Sequence, residues 1–251
     1  MLVIKAGGSS ITRAGQKPVF DRRAAARLAA AIALLDEPLI LTHGTGSYGK
    51  PPAVRYGYLD GRIRRGAAPV TEIKASLREL HGLFVAELLA AGVKAVSCPG
   101  CEVFALKRGR LVLSATRRLS SLLARGCVPV VNSDLFPCGG GFRVVSSDAI
   151  AAELAAAFKP RLAVFFTAAQ GLTGPGGKVI GELNAAGLKL FRKICRPSPG
   201  DVSGGMAGKA AELARLNALG VDSFIADGRR PGELLKFLSG GRACGTLVRA
   251  E

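Results

Sequence analysis

Leu2-Val3-Ile4-Lys5-Ala6-Gly7-Gly8-Ser9 opens the chain as an apolar run that breaks into a glycine turn. An alanine-rich stretch from Asp21 to Leu35 follows at helical spacing. Leu39-Ile40-Leu41-Thr42 then repeats the pattern and ends in His43-Gly44-Thr45-Gly46-Ser47-Tyr48-Gly49-Lys50. Strands without polar alternation are covered on both faces, which argues for a mainly parallel sheet between layers of helices. The alternation continues outward from this start. Thr71–Ala91 reads as a long amphipathic helix stopped by Gly92, Val93–Ser97 as a strand and Leu111–Leu113 as a short hairpin strand. Thr116–Arg125 reads as a helix closed by Gly126, and Val128–Asn132 as a strand. Pro137–Gly141 reads as a turn, Ser147–Ala157 as a helix with Asp148 in its first turn, Leu162–Thr167 as a strand and Gly171–Gly181 as a loop. A glycine turn at Gly204–Gly208 precedes a predicted helix over Lys209–Leu219. Val221–Ala226, Pro231–Leu238 and Gly245–Val248 complete the series as strand, helix and strand. No linker, repeat or low-complexity tract interrupts it, so residues 1–251 are expected to form one α/β unit, an open αβα sandwich.

Bulk properties narrow the classes of function. The 251 residues are 49% apolar, enough for a sizeable core. No apolar run approaches the length of a bilayer span, and the N-terminus carries no basic leader with a cleavage site, so a cytoplasmic protein without a membrane partner is expected. The formal net charge is +17, yet the basic residues fall in scattered pairs such as Arg22-Arg23, Arg64-Arg65, Arg117-Arg118 and Arg229-Arg230. Trp is absent and the three Tyr lie together at Tyr48, Tyr56 and Tyr58. That is a poor stacking platform for single strands, so an anionic small substrate is favoured over nucleic acid. Two Gln and three Asn in the whole chain fit a thermophilic origin. Cys98-Pro99-Gly100-Cys101 has CxxC spacing, but no second pair or HxxxH exists to complete a zinc site. Inert thiols are expected there, with a structural disulfide as the alternative.

In open α/β sheets ligands bind at the carboxyl ends of strands, where glycines let the backbone approach phosphates. The spelling Gly44-x-Gly46-x-x-Gly49 matches a dinucleotide fingerprint, but it lacks the acid about 20 residues on. No GxxxxGK[ST] P-loop occurs either. What the chain has instead is three glycine turns, each beside a lysine: Lys5, Lys50 and Lys209. Parallel strands would gather these turns on one sheet edge. Positioned cations and backbone amides are what phosphoryl transfer requires.

Several segments resemble a known family. Ile4-Lys5-Ala6-Gly7-Gly8-Ser9-Ser10-Ile11-Thr12 resembles the opening of the isopentenyl phosphate kinases, within the amino acid kinase superfamily. His43–Lys50 with Pro51–Gly57 resembles their H-G-[GA]-G-S-F-G-H segment, Val144–Ile150 their I-L-S-G-D-D segment, and Asp201–Lys209 their D-V-T-G-G-M-x-x-K segment. The resemblance implies an ATP- and Mg2+-dependent kinase that converts isopentenyl phosphate to isopentenyl diphosphate, usually as a homodimer. Its acceptor lobe would span about residues 1–145 and its nucleotide lobe about 146–251. Carried over by position, Ala6, Gly7, Gly8, Ser9, Gly46 and Gly205 would lie along ATP. Lys5 and Lys209 would neutralise the moving phosphoryl, and Asp148 would orient both lysines. Thr45, Lys50 and Ser147 would face the acceptor phosphate. No residue is assigned as a metal ligand.

The chain departs from that pattern at identifiable places. Lys50 stands where those kinases carry a His, and Thr12-Arg13-Ala14 stands where they carry a lysine, so Arg13 or Lys17 would substitute. Thr167-Ala168-Ala169-Gln170-Gly171 lacks both acids of T-D-x-D-G, and Ala149 replaces the second Asp of S-G-D-D. These changes leave Lys5, Asp148 and Lys209 in place. They leave open a related kinase with another phosphomonoester or phosphonate acceptor, or a non-catalytic nucleotide-binding relative. His81, mid-helix among apolar residues, is expected to pack, and His43 to orient the turn that follows it.

Overall fold

A computed structural model of the chain describes residues 1–57, 62–63, 66–174, 176–194 and 205–250, without the side chains of residues 50, 53, 194 and 205–207. The N-terminal half runs β1 (Leu2–Ala6), α1 (Arg22–Ala33), β2 (Leu39–His43), α2 (Lys50–Arg55), β3 (Arg62–Ile63), α3 (Ala68–Ala90), β4 (Ala95–Ser97) and α4 (Gly100–Val103). It continues with β5 (Phe104–Lys107), β6 (Arg110–Leu113), α5 (Thr116–Ala124), β7 (Val128–Asn132), β8 (Asp134–Cys138) and β9 (Gly141–Val145). The C-terminal half holds α6 (Ser147–Phe158), β10 (Leu162–Thr167), β11 (Glu182–Leu183), α7 (Ala185–Ile194), α8 (Gly205–Ala218), β12 (Ser223–Asp227), α9 (Gly232–Leu238) and β13 (Thr246–Val248).

Eight strands form the central sheet in the order β11-β13-β12-β10-β1-β2-β7-β4. The run from β12 to β4 is parallel throughout, and the direction reverses between β12 and β13. β1, β2, β10 and β12 are buried along their whole length, covered on both faces, and so need no polar alternation. Strand parity decides which residue meets which layer. Leu2, Ile4 and Ala6 of β1 and Leu39 and Leu41 of β2 join a core with Leu28 and Ile32 of α1 and Leu80, Phe84 and Leu88 of α3. Val3, Ile40, Ala163 and Phe165 point the other way, into a core with Ile150 and Leu154 of α6 and Leu213 and Leu216 of α8. Lys5 therefore shares the α6 and α8 side with Val3, and His43 shares the α3 side with Leu41.

The expected sandwich is present, with local corrections. Asp21 caps α1 by accepting from Ala24 N at 3.1 Å. Gly92 and Gly220 close α3 and α8 at φ of +84° and +75°, where a side chain would be strained. The turn expected at Gly204–Gly208 is already helix from Gly205, so Lys209 lies one turn inside α8 rather than at its start. Pro137–Gly141 is the tip of a β8–β9 hairpin rather than an isolated turn, and β3 pairs on its outer edge. Leu111–Leu113 does form a hairpin strand, paired with β5. The thiols of Cys98 and Cys101 are both free. No helix among the described residues is long and apolar enough to cross a membrane.

Candidate active site

Because β1, β2 and β7 run parallel, the turns after β1 and β2 leave the same sheet edge, and they pack directly on each other. Gly44 N donates to Ala6 O at 2.9 Å, and Gly7 N donates to Phe166 O at 2.9 Å. An added Cβ on Gly8 would stand 2.1 Å from Gly46 N, and one on Gly44 would stand 2.8 Å from Gly8 N. Only residues without a Cβ allow the two turns to touch. Thr12, one turn on, ties them together: its Oγ1 donates to Gly8 O at 2.9 Å and accepts from Ser47 N at 3.1 Å. Gly8, Thr45 and Gly46 keep part of their surface exposed, and Ser9 is exposed.

Beside these turns α6 begins. Ser146 caps it by accepting from Ala149 N at 3.2 Å, which places Ser147 and Asp148 in the first helical turn. A Cβ on Gly44 would approach Ser147 Oγ to 3.1 Å, so α6 starts against the second glycine turn. Asp148 Oδ1 receives Lys5 Nζ at 3.1 Å from β1 and Lys209 Nζ at 2.6 Å from α8. Lys209 also lies over the Phe165 ring, 5.4 Å from its centroid. All three charged groups are nearly buried, with Lys5 and Lys209 at 6% exposure. Burial drives the Lys5 pKa down to about 8, with Lys209 adding to the fall and Asp148 opposing it. Burial alone would raise the Asp148 carboxyl, but the charges of Lys5 and Lys209 outweigh it and hold that group well below the usual range. Two ammonium groups on one carboxylate leave the cluster with one uncompensated positive charge, next to backbone amides. That donor set suits a polyphosphate.

The other residues singled out from sequence fall as follows. Ala6 ends β1, and Gly205 starts α8; the segment 201–204 before it lies outside the described residues. Lys50 opens α2, with its side chain outside the described part. Arg13 and Lys17 are exposed, and Arg13 is paired with Asp21 at 3.3 Å. Where both acids of T-D-x-D-G are missing, Thr167 Oγ1 accepts from Ala169 N at 2.9 Å and Arg229 donates to Ala168 O at 2.9 Å. Arg229 is itself gripped by Asp227 through two contacts of 3.0 Å. Sequence reasoning missed Arg229, Thr12 and the partnership of the two histidines. His43 Nε2 lies 2.8 Å from His81 Nδ1, and both rings are buried.

The chain belongs to the amino acid kinase family, whose model matches residues 1–227. Within that family it is similar to the isopentenyl phosphate kinase of Methanothermobacter thermautotrophicus, at 29% identity over the full length of both chains. It is also similar to the acetylglutamate kinase of Rubrobacter xylanophilus, at 32% identity over 84% of this chain and 83% of that one. A solved isopentenyl phosphate kinase structure superposes with a TM-score of 0.76 at 25% identity, covering 98% of this chain and 99% of the other. These relatives mark the protein as a phosphotransferase.

Proposed function

We propose that this chain transfers the terminal phosphoryl of ATP to isopentenyl phosphate, forming isopentenyl diphosphate and ADP. The observation that carries this reading is the buried convergence of Lys5 and Lys209 on Asp148 beside two touching glycine turns. In the proposed mechanism the amides of Gly8, Ser9 and Gly46 hold the nucleotide phosphates, with Ala6, Gly7 and Gly205 alongside; the Gly7 N–H, expected to join them, is instead donated to Phe166 O. Lys5 and Lys209 hold the charge that spreads over the oxygens of the moving phosphoryl. Asp148 touches both ammonium groups and fixes their positions. Thr45, Ser147 and Lys50 bind the acceptor phosphate and aim its oxygen at the phosphorus. That oxygen is already anionic, so no general base is needed to activate it. This suits a site whose Asp148 carboxylate is committed to two lysines.

Mg2+, when bound, neutralises the phosphate oxygens of the nucleotide. The described residues contain no cluster of three His, Cys, Asp or Glu side chains that could cage a metal. We propose that Mg2+ arrives on the nucleotide, as Mg2+ commonly does. We place the acceptor mainly on a lobe of about residues 1–145 and the nucleotide mainly on about 146–251, with Lys5 and the two glycine turns reaching the ATP phosphates from the first lobe and Ser147 reaching the acceptor from the second, and expect a homodimer.

Lys50 in place of the family His favours a second reading, a kinase of the same family with another acceptor. The test is ADP release with MgATP over a panel of isopentenyl phosphate, other phosphomonoesters, phosphonates and N-acetylglutamate. Highest kcat/KM on isopentenyl phosphate supports the proposal. Preference for a different acceptor moves it to the second reading, and absence of transfer to every acceptor ends the kinase reading. Lys50→Ala should raise the acceptor KM. Lys50→His should acquire a fall in rate as pH rises through about 6.5, where an imidazole loses its charge.

A further inference from the structure

The protein contains two histidines, and they hydrogen-bond to each other. His43 ends β2 on the face that packs against α3, and His81 sits on the buried stripe of α3 with Leu77, Phe84 and Leu88. Their centroids are 5.1 Å apart with planes 19° from parallel, the arrangement of an in-plane N–H···N bond rather than face-to-face stacking. Each remaining ring nitrogen is also engaged. His43 Nδ1 lies 3.0 Å from Gly44 O, and His81 Nε2 lies 2.8 Å from Ser97 Oγ.

The direction of this chain follows from donor and acceptor chemistry. A carbonyl oxygen only accepts, so His43 Nδ1 carries a proton and, in the neutral ring, His43 Nε2 is an acceptor. His81 Nδ1 must then donate, which leaves His81 Nε2 to accept from the Ser97 hydroxyl. Both rings are thus neutral Nδ1–H tautomers. Protonating His43 would oppose two N–H groups across 2.8 Å unless His81 moved its proton to Nε2 and the Ser97 hydroxyl turned to accept it. Burial, with His81 adding to it, pushes His43 down to about 3, and burial pushes His81 down to about 4. The charged groups acting on His81 are Asp134 of β8 and Glu102 of α4, both favouring its protonation, and Lys74 of α3 holds Asp134 at 2.7 Å.

We infer that His43, His81 and Ser97 are positioning residues, a one-way hydrogen-bond chain that sets the orientation of the second glycine turn in the proposed kinase site. The lever is the Gly44–Thr45 peptide. It is trans and planar, so pinning Gly44 O on the His43 side fixes the Thr45 N–H on the opposite side. Thr45 is one of the residues assigned above to the acceptor phosphate. The chain therefore links Ser97, exposed at the end of β4, to the amide of a residue assigned above to the acceptor phosphate.

The inference rests on the kinase reading for its consequence and not for its first test. With 15N-labelled histidine, imidazole nitrogen spectra show two residues alone, and both should be Nδ1–H tautomers that stay neutral down to pH 5. A ring found as Nε2–H, or titrating near neutrality, overturns the chain. His81→Phe keeps the ring volume and removes the donor, whereas His81→Asn keeps a donor close to the position of Nδ1. The amide signals of Gly44 to Ser47 should shift with Phe and stay close to wild type with Asn. Unchanged signals in the Phe variant overturn the positioning role. At a temperature where both are folded, kcat/KM should fall roughly five- to tenfold with Phe and less than about twofold with Asn, on the scale of one buried hydrogen bond. A purely structural role predicts the reverse order, because Asn leaves the larger cavity. Absence of transfer by the wild type would remove the kinase reading while the tautomer and amide results still decide the chain.

Discussion

Asp148→Asn tests the center of the site, because it removes one charge and almost no volume. Lys5 and Lys209 share Asp148 Oδ1 at 3.1 Å and 2.6 Å, so their nitrogens are no more than about 5.7 Å apart, the sum of the two distances. At an effective dielectric of about 20, two ammonium groups at that separation repel by at least about 3 kcal/mol. In the native protein the carboxylate between them offsets this. In the variant nothing does, and an uncompensated buried pair typically costs about 3–5 kcal/mol. For a chain of this size that is a fall in Tm of roughly 6–20 °C.

The cheapest relief is for Lys5 to lose its proton. Its pKa is already lowered to about 8, and about 3 kcal/mol is worth about two pH units, so Lys5 should be neutral at pH 7 in the variant. The site nevertheless does not become less positive: one charged lysine without a carboxylate carries the same net charge as two lysines with one. Nucleotide affinity should therefore hold, while kcat falls on the order of 100- to 1000-fold, as for loss of one preorganised charge contact. Thermal unfolding, nucleotide titration and single-turnover transfer measure the three quantities. A folded variant with native kcat, or one with weakened nucleotide binding and intact kcat, refutes the role given to Asp148.

Gly8→Ala would put a Cβ 2.1 Å from Gly46 N and 2.5 Å from Gly46 Cα. It should separate the turns, lower stability by about 1–3 kcal/mol and erase the stabilisation by MgATP, about 2.7 kcal/mol at 100 Kd in the wild type; a retained MgATP shift in Tm would contradict it. If Lys5 acts as a cation, kcat/KM should be level below pH 8 and fall as pH rises through about 8. Its contribution to stability runs the other way: the folded pKa lies below the unfolded value near 10.5, so the fold disfavors the charged form, and this penalty is relieved as pH rises from about 8 to 10.5. Comparing wild type with Lys5→Met across that window isolates the effect, and a rate that stays level to pH 10 would remove Lys5 from the chemistry. Cys98→Ser with Cys101→Ser should leave kcat unchanged at a temperature where the protein is folded, since both thiols are free and the charged groups acting on them are Arg118, Glu102, Asp134 and Lys74 rather than the Asp148 cluster; lost activity there would show that the pair takes part.

The part of this molecule legible in sequence is the part governed by local pattern. Uniformly apolar strands, the first two of them ended by glycine, admit few arrangements besides a covered parallel sheet, and the parallel strands then bring these two glycine turns to one edge. The α7 helix and the β8–β9 hairpin escaped because their signals conflict: Pro137 sits inside a ladder, where it donates no bond, and α7 buries little beyond Leu188 and Phe191. The Asp148 cluster is intermediate. Parity places Lys5 on one face of β1, but which helix supplies the carboxylate depends on layer assignment, and that was reachable through resemblance rather than spacing. The histidine pair was the least legible, because it needs two phases at once. His43 must fall on the α3 side of β2, and His81 must fall on the sheet side of a 23-residue helix. A polar residue on an apolar stripe reads as packing until a second one is found opposite it. Searching for paired polar interruptions, one by strand parity and one by helical phase, would have joined His43 to His81. The same search applied to Lys5 and Asp148 turns resemblance into geometry, because each alone is an expensive buried charge and only together are they permissible.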